Sequence, residues 1–333
     1  MEPRSFLATM IQMIGVMILA LGLPDFFRTL GSGDSIDPRV IIAGYLVMRT
    51  ATLLQWTRLA RQDRGQRRSA LQHTLLVGTS MTGWLGIAIT RPTLPLFVLA
   101  AVILFLLEIT GTRLVEQRSG EVGWNAHHIA ERFGLLAIIA LGEGVFGTVA
   151  SVNALVGIAG WSFDAVTVVT AGVGLTFGLW WMYFMTPYGW VLSRFRRKFQ
   201  PFIYLHFALY AGIVAIGAGL HVAAYAIEGA AGIGAFASTL TVIIPFAVFC
   251  LAVMAGYTYM LQEFDGLHAW LSVATTAILA LAATVSAAGV PIGVTLLIVT
   301  AAPAVSVVGF EAAGRKHQQQ SLANLARTAP VDH

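Results

Sequence analysis

The sequence predicts an all-α, polytopic transmembrane helical bundle of about ten spans, and three observations carry that expectation. Of the 333 residues, 57% are hydrophobic and only 11% charged, with a mean hydropathy of +0.77, whereas an ordinary soluble domain carries roughly 25% charged residues. Between Asp265 and Glu311 there is no Asp, Glu, Lys or Arg over about 45 residues, which is two bilayer crossings at about 20 residues each. The basic residues gather in short clusters beside apolar segments, at Arg58 to Arg68, Arg194 to Lys198 and Arg315 to Lys316. The net charge of +4 therefore reads as a topology signal and not as a nucleic-acid surface.

The spans follow in order from apolar windows of helix length. The first, 5 to 24, starts near Arg4 like a signal peptide. It is too long for one, reaches Pro24-Asp25 without a small-residue cleavage site, and is followed by many further spans. The second, 38 to 56, leads into the densest basic loop. The third and fourth, 70 to 90 and 93 to 110, are joined so tightly at Arg91-Pro92 that they form an antiparallel hairpin with Pro at a helix start. The fifth (126 to 152), sixth (165 to 185), seventh (201 to 227) and eighth (239 to 261) come next. The ninth and tenth, 268 to 288 and 291 to 310, are joined at Val290-Pro291 in the same manner. If every span crosses, the loops bearing Arg58 to Arg68, Arg113 and Arg118, and Arg194 to Lys198 share one side with the tail. Both termini are then cytoplasmic. The single cysteine, Cys250, excludes an intrachain disulfide and any multi-cysteine zinc site.

A shift of about 197 positions places Gly15-Val16 on Gly212-Ile213 and Gly22-Leu23 on Gly219-Leu220. Much the same shift aligns spans two to four with spans eight to ten, including Pro95 with Pro291. The chain thus reads as a single membrane domain with a parallel internal repeat. Residues 1 to 125 are a four-span remnant of the first half, 126 to 312 the six-span second half, and 313 to 333 a cytoplasmic tail.

Ionisable groups inside spans are the functional candidates, because a charge at the bilayer centre costs roughly 2.5 to 3.5 kcal/mol. At 100° per residue, His128, Arg132 and Glu143 of the fifth span lie within about 60° of one another, with Glu131 beside His128. Glu143 lies roughly 16 Å deeper than Arg132. Three readings of this stripe stay open: solvated groups at the cytoplasmic headgroups, a transport path with Glu143 at its core, or a metal site built on His127 and Glu131 at i, i+4. Arg49, inside the second span, either snorkels to the basic loop or needs a carboxylate, with Glu108 and Glu143 as the choices. Glu143 is expected to face the bundle interior, paired with Arg49 or among Tyr45, Thr50 or Tyr210. His206 is a satisfied core histidine or a member of the same path, and His221 is read as a core or interfacial residue. Trp180-Trp181-Met182-Tyr183-Phe184 reads as an interfacial aromatic belt, and Gly174 with Gly178 as a small-residue packing face.

The stretch His128 to Thr148, HIAERFGLLAIIALGEGVFGT, resembles the signature of the bacterial low temperature requirement A family. Leu179-Trp180-Trp181-Met182-Tyr183-Phe184, Tyr204-Leu205-His206 and Ala211-Gly212-Ile213-Val214 are similar to further segments of the same family. The likeness runs from about Pro3 to about Phe310. It implies a multi-pass protein of the bacterial inner membrane that lacks the family's first two helices, including an E-L-F-F-D-L-V-F segment. It also implies an Asp where this chain has Met185. The family is named for growth in the cold, so the resemblance implies no particular chemistry.

The expected function is transport of a small solute or ion, with Glu143, Arg132, His128, Glu131, Arg49, Glu108 and His206 along a polar path. The expected partners are the lipid bilayer and an unidentified small solute or ion, with no cofactor and no nucleic acid. No nucleophile motif or phosphate-binding loop is present, so a membrane enzyme acting on a lipid or isoprenoid ranks second and a regulatory protein without a site third.

Overall fold

A computed structural model describes residues 3–32, 36–119, 124–262 and 266–328. All regular structure among them is helical: α1 Pro3–Ser32, α2 Arg39–Gln62, α3 Arg67–Thr90, α4 Leu94–Ser119, α5 Ala126–Ala159, α6 Phe163–Phe184, α7 Tyr188–Arg194, α8 Phe199–Ile227, α9 Ala235–Leu261, α10 Gly266–Ala287, α11 Ile292–Gly309 and α12 Arg315–Thr328. A 3-10 turn, Arg196–Lys198, precedes α8, and a π-helical turn, Phe310–Gly314, joins α11 to α12. Among the described residues, nine helices are long and apolar enough to cross a membrane. α3 has the length but is diluted by Arg67, Arg68, Gln72, His73 and a series of Ser and Thr.

Helix ends follow local chemistry. The Asn125 side chain accepts from the His128 N–H at 3.0 Å and starts α5, and the Ser162 hydroxyl accepts from the Ala165 N–H at 3.3 Å and starts α6. α5 runs on to Ala159, well past the expected end at 152, because it is stopped only at Gly160 with φ +70°. Likewise Pro24 does not end the first span; it sits inside α1, which continues to Ser32. Just ahead of α2, the Asp37 carboxylate accepts from the Arg39 side chain and backbone, which holds its pKa down to about 2. The tail is partly a packed helix: on α12, Ser321 and Leu325 are buried and the Gln318 amide donates to the Met185 carbonyl at 2.7 Å.

The chain divides into two compact units, Met1–Gly123 and Trp124–His333. In the first, α1 packs on α2, α2 on α3 and α3 on α4. In the second, α5 packs on both α6 and α8, α6 on α11, α8 on α9, α9 on α10 and α10 on α11. The seams are lined by small residues. A methyl group on Gly44 would fall on the backbone of Leu19, one on Gly217 on the backbone and Cβ of Glu143, and one on Gly172 on the Thr148 side chain. Gly174 and Gly178 set α6 against Thr300 and Pro303 of α11.

Contacts inside the second unit recur from the first at an offset constant for each helix. Gly15 lies on Gly44 and Met48, as Gly212 lies on Pro245 and Phe249. Gly22 lies on Ile41, as Gly219 lies on Val242. The rings of Trp56 and His73 stack at 4.1 Å, and those of Tyr257 and His268 meet at 4.4 Å with a tilt of 30°. Leu76 fills the space over Gly111, as Leu271 does over Gly309. The offsets are 197 from α1 to α8 (Gly15 to Gly212), 201 from α2 to α9 (Trp56 to Tyr257), 195 from α3 to α10 (His73 to His268) and 198 from α4 to α11 (Gly111 to Gly309). The last value sets Thr93 and not Pro95 opposite Pro291, two residues from the sequence alignment.

The seams predict a contrast between glycines. Gly44→Ala forces α1 from α2 and is expected to lower stability by about 1–3 kcal/mol. Gly78→Ala, with nothing within 4 Å of its added methyl, gains helix propensity and loses nothing. Thermal unfolding of the two variants in detergent checks this.

Candidate functional site

In the first unit, α2, α3 and α4 bring four polar side chains together inside an apolar bundle. The Arg49 guanidinium pairs with the Glu108 carboxylate. Tyr45 and Ser80 donate their hydroxyls to the other oxygen of that carboxylate. Arg49 Nε donates to the Tyr45 oxygen at 2.7 Å, and its guanidinium carbon lies 5.0 Å from the Tyr45 ring centre. Arg49 and Glu108 keep 29% and 13% of their side-chain surface, so water screens the pair weakly and each charge depends on the other. Arg49 therefore does not snorkel: of the two carboxylates considered for it, the structure supplies Glu108. Trp84, one turn beyond Ser80, is buried between Tyr45 and Phe105, and its indole N–H has no acceptor among the described residues.

In the second unit, the segments that carry the family resemblance converge on His206. Its Nδ1 lies 2.7 Å from the Phe202 carbonyl one helical turn back, and its Nε2 lies 3.0 Å from the Tyr183 hydroxyl. A carbonyl can only accept, so Nδ1 carries a proton, and in the uncharged form of the ring Nε2 accepts from Tyr183. The imidazole is enclosed by Phe133, Tyr183, Tyr188, Phe202 and Tyr210, with ring centres 4.1–5.6 Å away. Tyr210 donates to the Phe133 carbonyl at 2.8 Å, tying α8 to α5. The supposed aromatic belt thus divides: Trp180, Trp181 and Phe184 are exposed, while Met182 and Tyr183 are buried in the core. Tyr183 escaped notice in the sequence because the aromatic run masked which of its members turns inward.

The α5 stripe lies on the outside of its unit. His128, Glu131, Arg132 and Glu143 are all exposed. His128 and Glu131 approach only to 3.9 Å in solvent-accessible surroundings, an arrangement worth little. His127 is also exposed and lies beside Gly189 of α7. Among the described residues, no three His, Cys, Asp or Glu side chains gather as metal ligands. Glu143 does not face the interior as expected and makes no hydrogen bond or ion pair among the described residues. The reason lies in its neighbours. Gly144 and Thr148 take the face of α5 toward α6, and Gly147 and Ser151 the face toward α8, where the Ser151 hydroxyl donates to the Leu220 carbonyl at 2.7 Å. Glu143 is left at the rim, its Cβ against Gly217.

Lys198 belongs by sequence to a basic loop, and nothing local marks it as a functional residue. It is buried, and its ammonium donates to the carbonyls of Met260 at 2.5 Å and Tyr259 at 3.2 Å. The cation thereby caps the C-terminus of α9, where unpaired carbonyls concentrate negative charge. A lysine at a helix start, far in sequence from the helix end it caps, leaves no local signal.

The helices and their embedded polar clusters define a polytopic, all-α integral membrane protein. The profile of the bacterial low temperature requirement A protein (LtrA) family matches residues 2–303, and the chain belongs to that family. No curated protein and no solved structure matches it.

The Arg49–Glu108 pair predicts strong non-additivity. Arg49→Met or Glu108→Leu alone strands a buried charge and is expected to cost about 3–5 kcal/mol. The double variant, which removes both charges, is expected to unfold within about 1 kcal/mol of the native chain. Chemical unfolding of the four proteins in detergent measures the coupling.

Proposed function

We propose that this chain moves a small solute or ion across the bacterial inner membrane, with both termini on the cytoplasmic side as the loop charges direct. The observation that carries this reading is the Arg49–Glu108–Tyr45–Ser80 cluster. An ion pair inside apolar helices is held against a desolvation cost that apolar side chains would not incur, and such pairs mark solute and ion paths by default. Arg49 offers N–H groups beyond those spent on Glu108 and Tyr45, and Trp84 adds a buried donor beside them. A solute with acceptor oxygens suits that set. The exposed α5 groups His128, Glu131 and Arg132 form a polar surface at the start of their helix, suited to drawing a solute toward the protein. His206 holds α5, α6 and α8 together behind its aromatic wall. Glu143, on the outer rim, takes no part.

Flux into proteoliposomes tests the reading. The Arg49→Met/Glu108→Leu variant, expected to remain folded, should lose flux of the transported solute by about ten-fold or more, the equivalent of 1.4 kcal/mol or more on the barrier. Glu143→Gln should stay within about two-fold of the native rate. Equal flux in the native and double-variant proteins would remove the cluster from the path, and no flux over a broad panel of ions and small solutes would remove the transport reading.

A further inference from the structure

The repeat offsets carry the Arg49–Glu108 cluster onto a second place in the fold, in the other unit. Ser80 corresponds to Thr275, Glu108 to Ser306, Arg49 to Cys250 and Trp84 to Leu279. The contact itself recurs: Ser80 bonds to Glu108, and the Thr275 and Ser306 hydroxyls lie 3.1 Å apart. In the first unit these positions are filled by a guanidinium, a carboxylate and an indole. In the second, Cys250, Ser306 and Leu279 are far smaller, and a groove of about 530 Å³ opens among α6, α9, α10 and α11. That volume lies within the roughly 300–1,000 Å³ range of small-molecule sites.

We infer that this groove binds an uncharged, mostly apolar molecule bearing one hydroxyl or carbonyl group. Its wall is largely hydrocarbon, and no Asp, Glu, Lys or Arg is found among the described residues lining it. A charged ligand would lose its hydration with nothing to compensate it, whereas an uncharged one would not. The Thr275–Ser306 pair is buried and holds two hydroxyl protons, of which their mutual bond uses one. The other proton and the remaining lone pairs are available to one polar group of a ligand. Leu251, exposed on the rim, leaves the groove open at an apolar outer face of α9, a side from which a molecule dissolved in lipid could enter. The inference is independent of the transport reading, since it concerns the other unit and is read out by binding alone.

The test is photolabelling of the full chain in phosphatidylcholine nanodiscs with a dodecanol carrying an alkyl diazirine, adducts being mapped by mass spectrometry. Saturable labelling concentrated on groove residues of α9, α10 and α11 is expected, displaced by dodecanol and not by dodecanoate. Leu279→Trp, which restores the bulk of Trp84, should reduce it by about ten-fold, the equivalent of 1.4 kcal/mol. Ser306→Leu, which removes the hydroxyl pair, should do likewise and serves if the tryptophan variant does not fold, as judged by circular dichroism and gel filtration. Labelling that grows linearly with probe and spreads over all lipid-facing helices would show bulk lipid solvation only and overturn the inference. Equal displacement by dodecanoate, or unchanged labelling in a folded variant, would overturn it too. Lost flux in the Arg49→Met/Glu108→Leu protein with intact labelling would leave the two readings separately judged.

Discussion

Helices in lipid gain no hydrophobic free energy by meeting one another, because the tails around them are as apolar as leucine, so contact has to come from close approach of backbones. That constraint organises this chain. Gly44 against Leu19, Gly217 against Glu143, Gly172 against Thr148 and Gly178 against Pro303 each mark a place where a single methyl group would separate two helices. The same seams then decide which side chains turn inward. On α5 the two inner faces are taken by Gly144 and Thr148 and by Gly147 and Ser151, which leaves Glu143 on the outside although it is the deepest charge of its helix.

Against that background the polar groups fall into two classes. Some close the structure: Lys198 caps α9, and His206 joins Phe202 to Tyr183 within a ring of aromatics. Others are hard to explain by stability. A buried ion pair is often no better than well-packed hydrocarbon of the same volume, yet Arg49 and Glu108 sit beside the apolar cluster of Ile42, Trp84 and Ile87. The corresponding positions of the other unit hold Cys250 and Ser306, and a groove takes the place of the charges. One packing scheme thus supports a charged cluster in one unit and an uncharged recess in the other.

Much of the architecture was legible in the sequence because it rests on composition and length: apolar windows of about 20 residues, prolines at Arg91-Pro92 and Val290-Pro291, and the glycine pairs at Gly15 and Gly212. The helix ends were less legible. α5 overran its apolar window because nothing breaks it before Gly160, and α1 passed through Pro24, which removes one backbone hydrogen bond without ending the helix. Arg49 was legible as a residue that either snorkels to the basic loop or needs a carboxylate, since a lone guanidinium in a span is costly. Which carboxylate it meets depends on how α4 packs near α2, and no local pattern encodes that. Glu143 misled for the same reason: a stripe on a helical wheel shows which residues share a face, and only the neighbouring helices decide whether that face is inside.

Four helices of each unit share one packing register, and paired cysteines measure it directly. In a Cys250→Ser background, Leu76→Cys/Gly111→Cys and Leu271→Cys/Gly309→Cys place thiols at corresponding contacts of the two units. Both pairs are expected to form disulfides under mild oxidation in the membrane. A disulfide in one pair with none in the other would contradict the shared register.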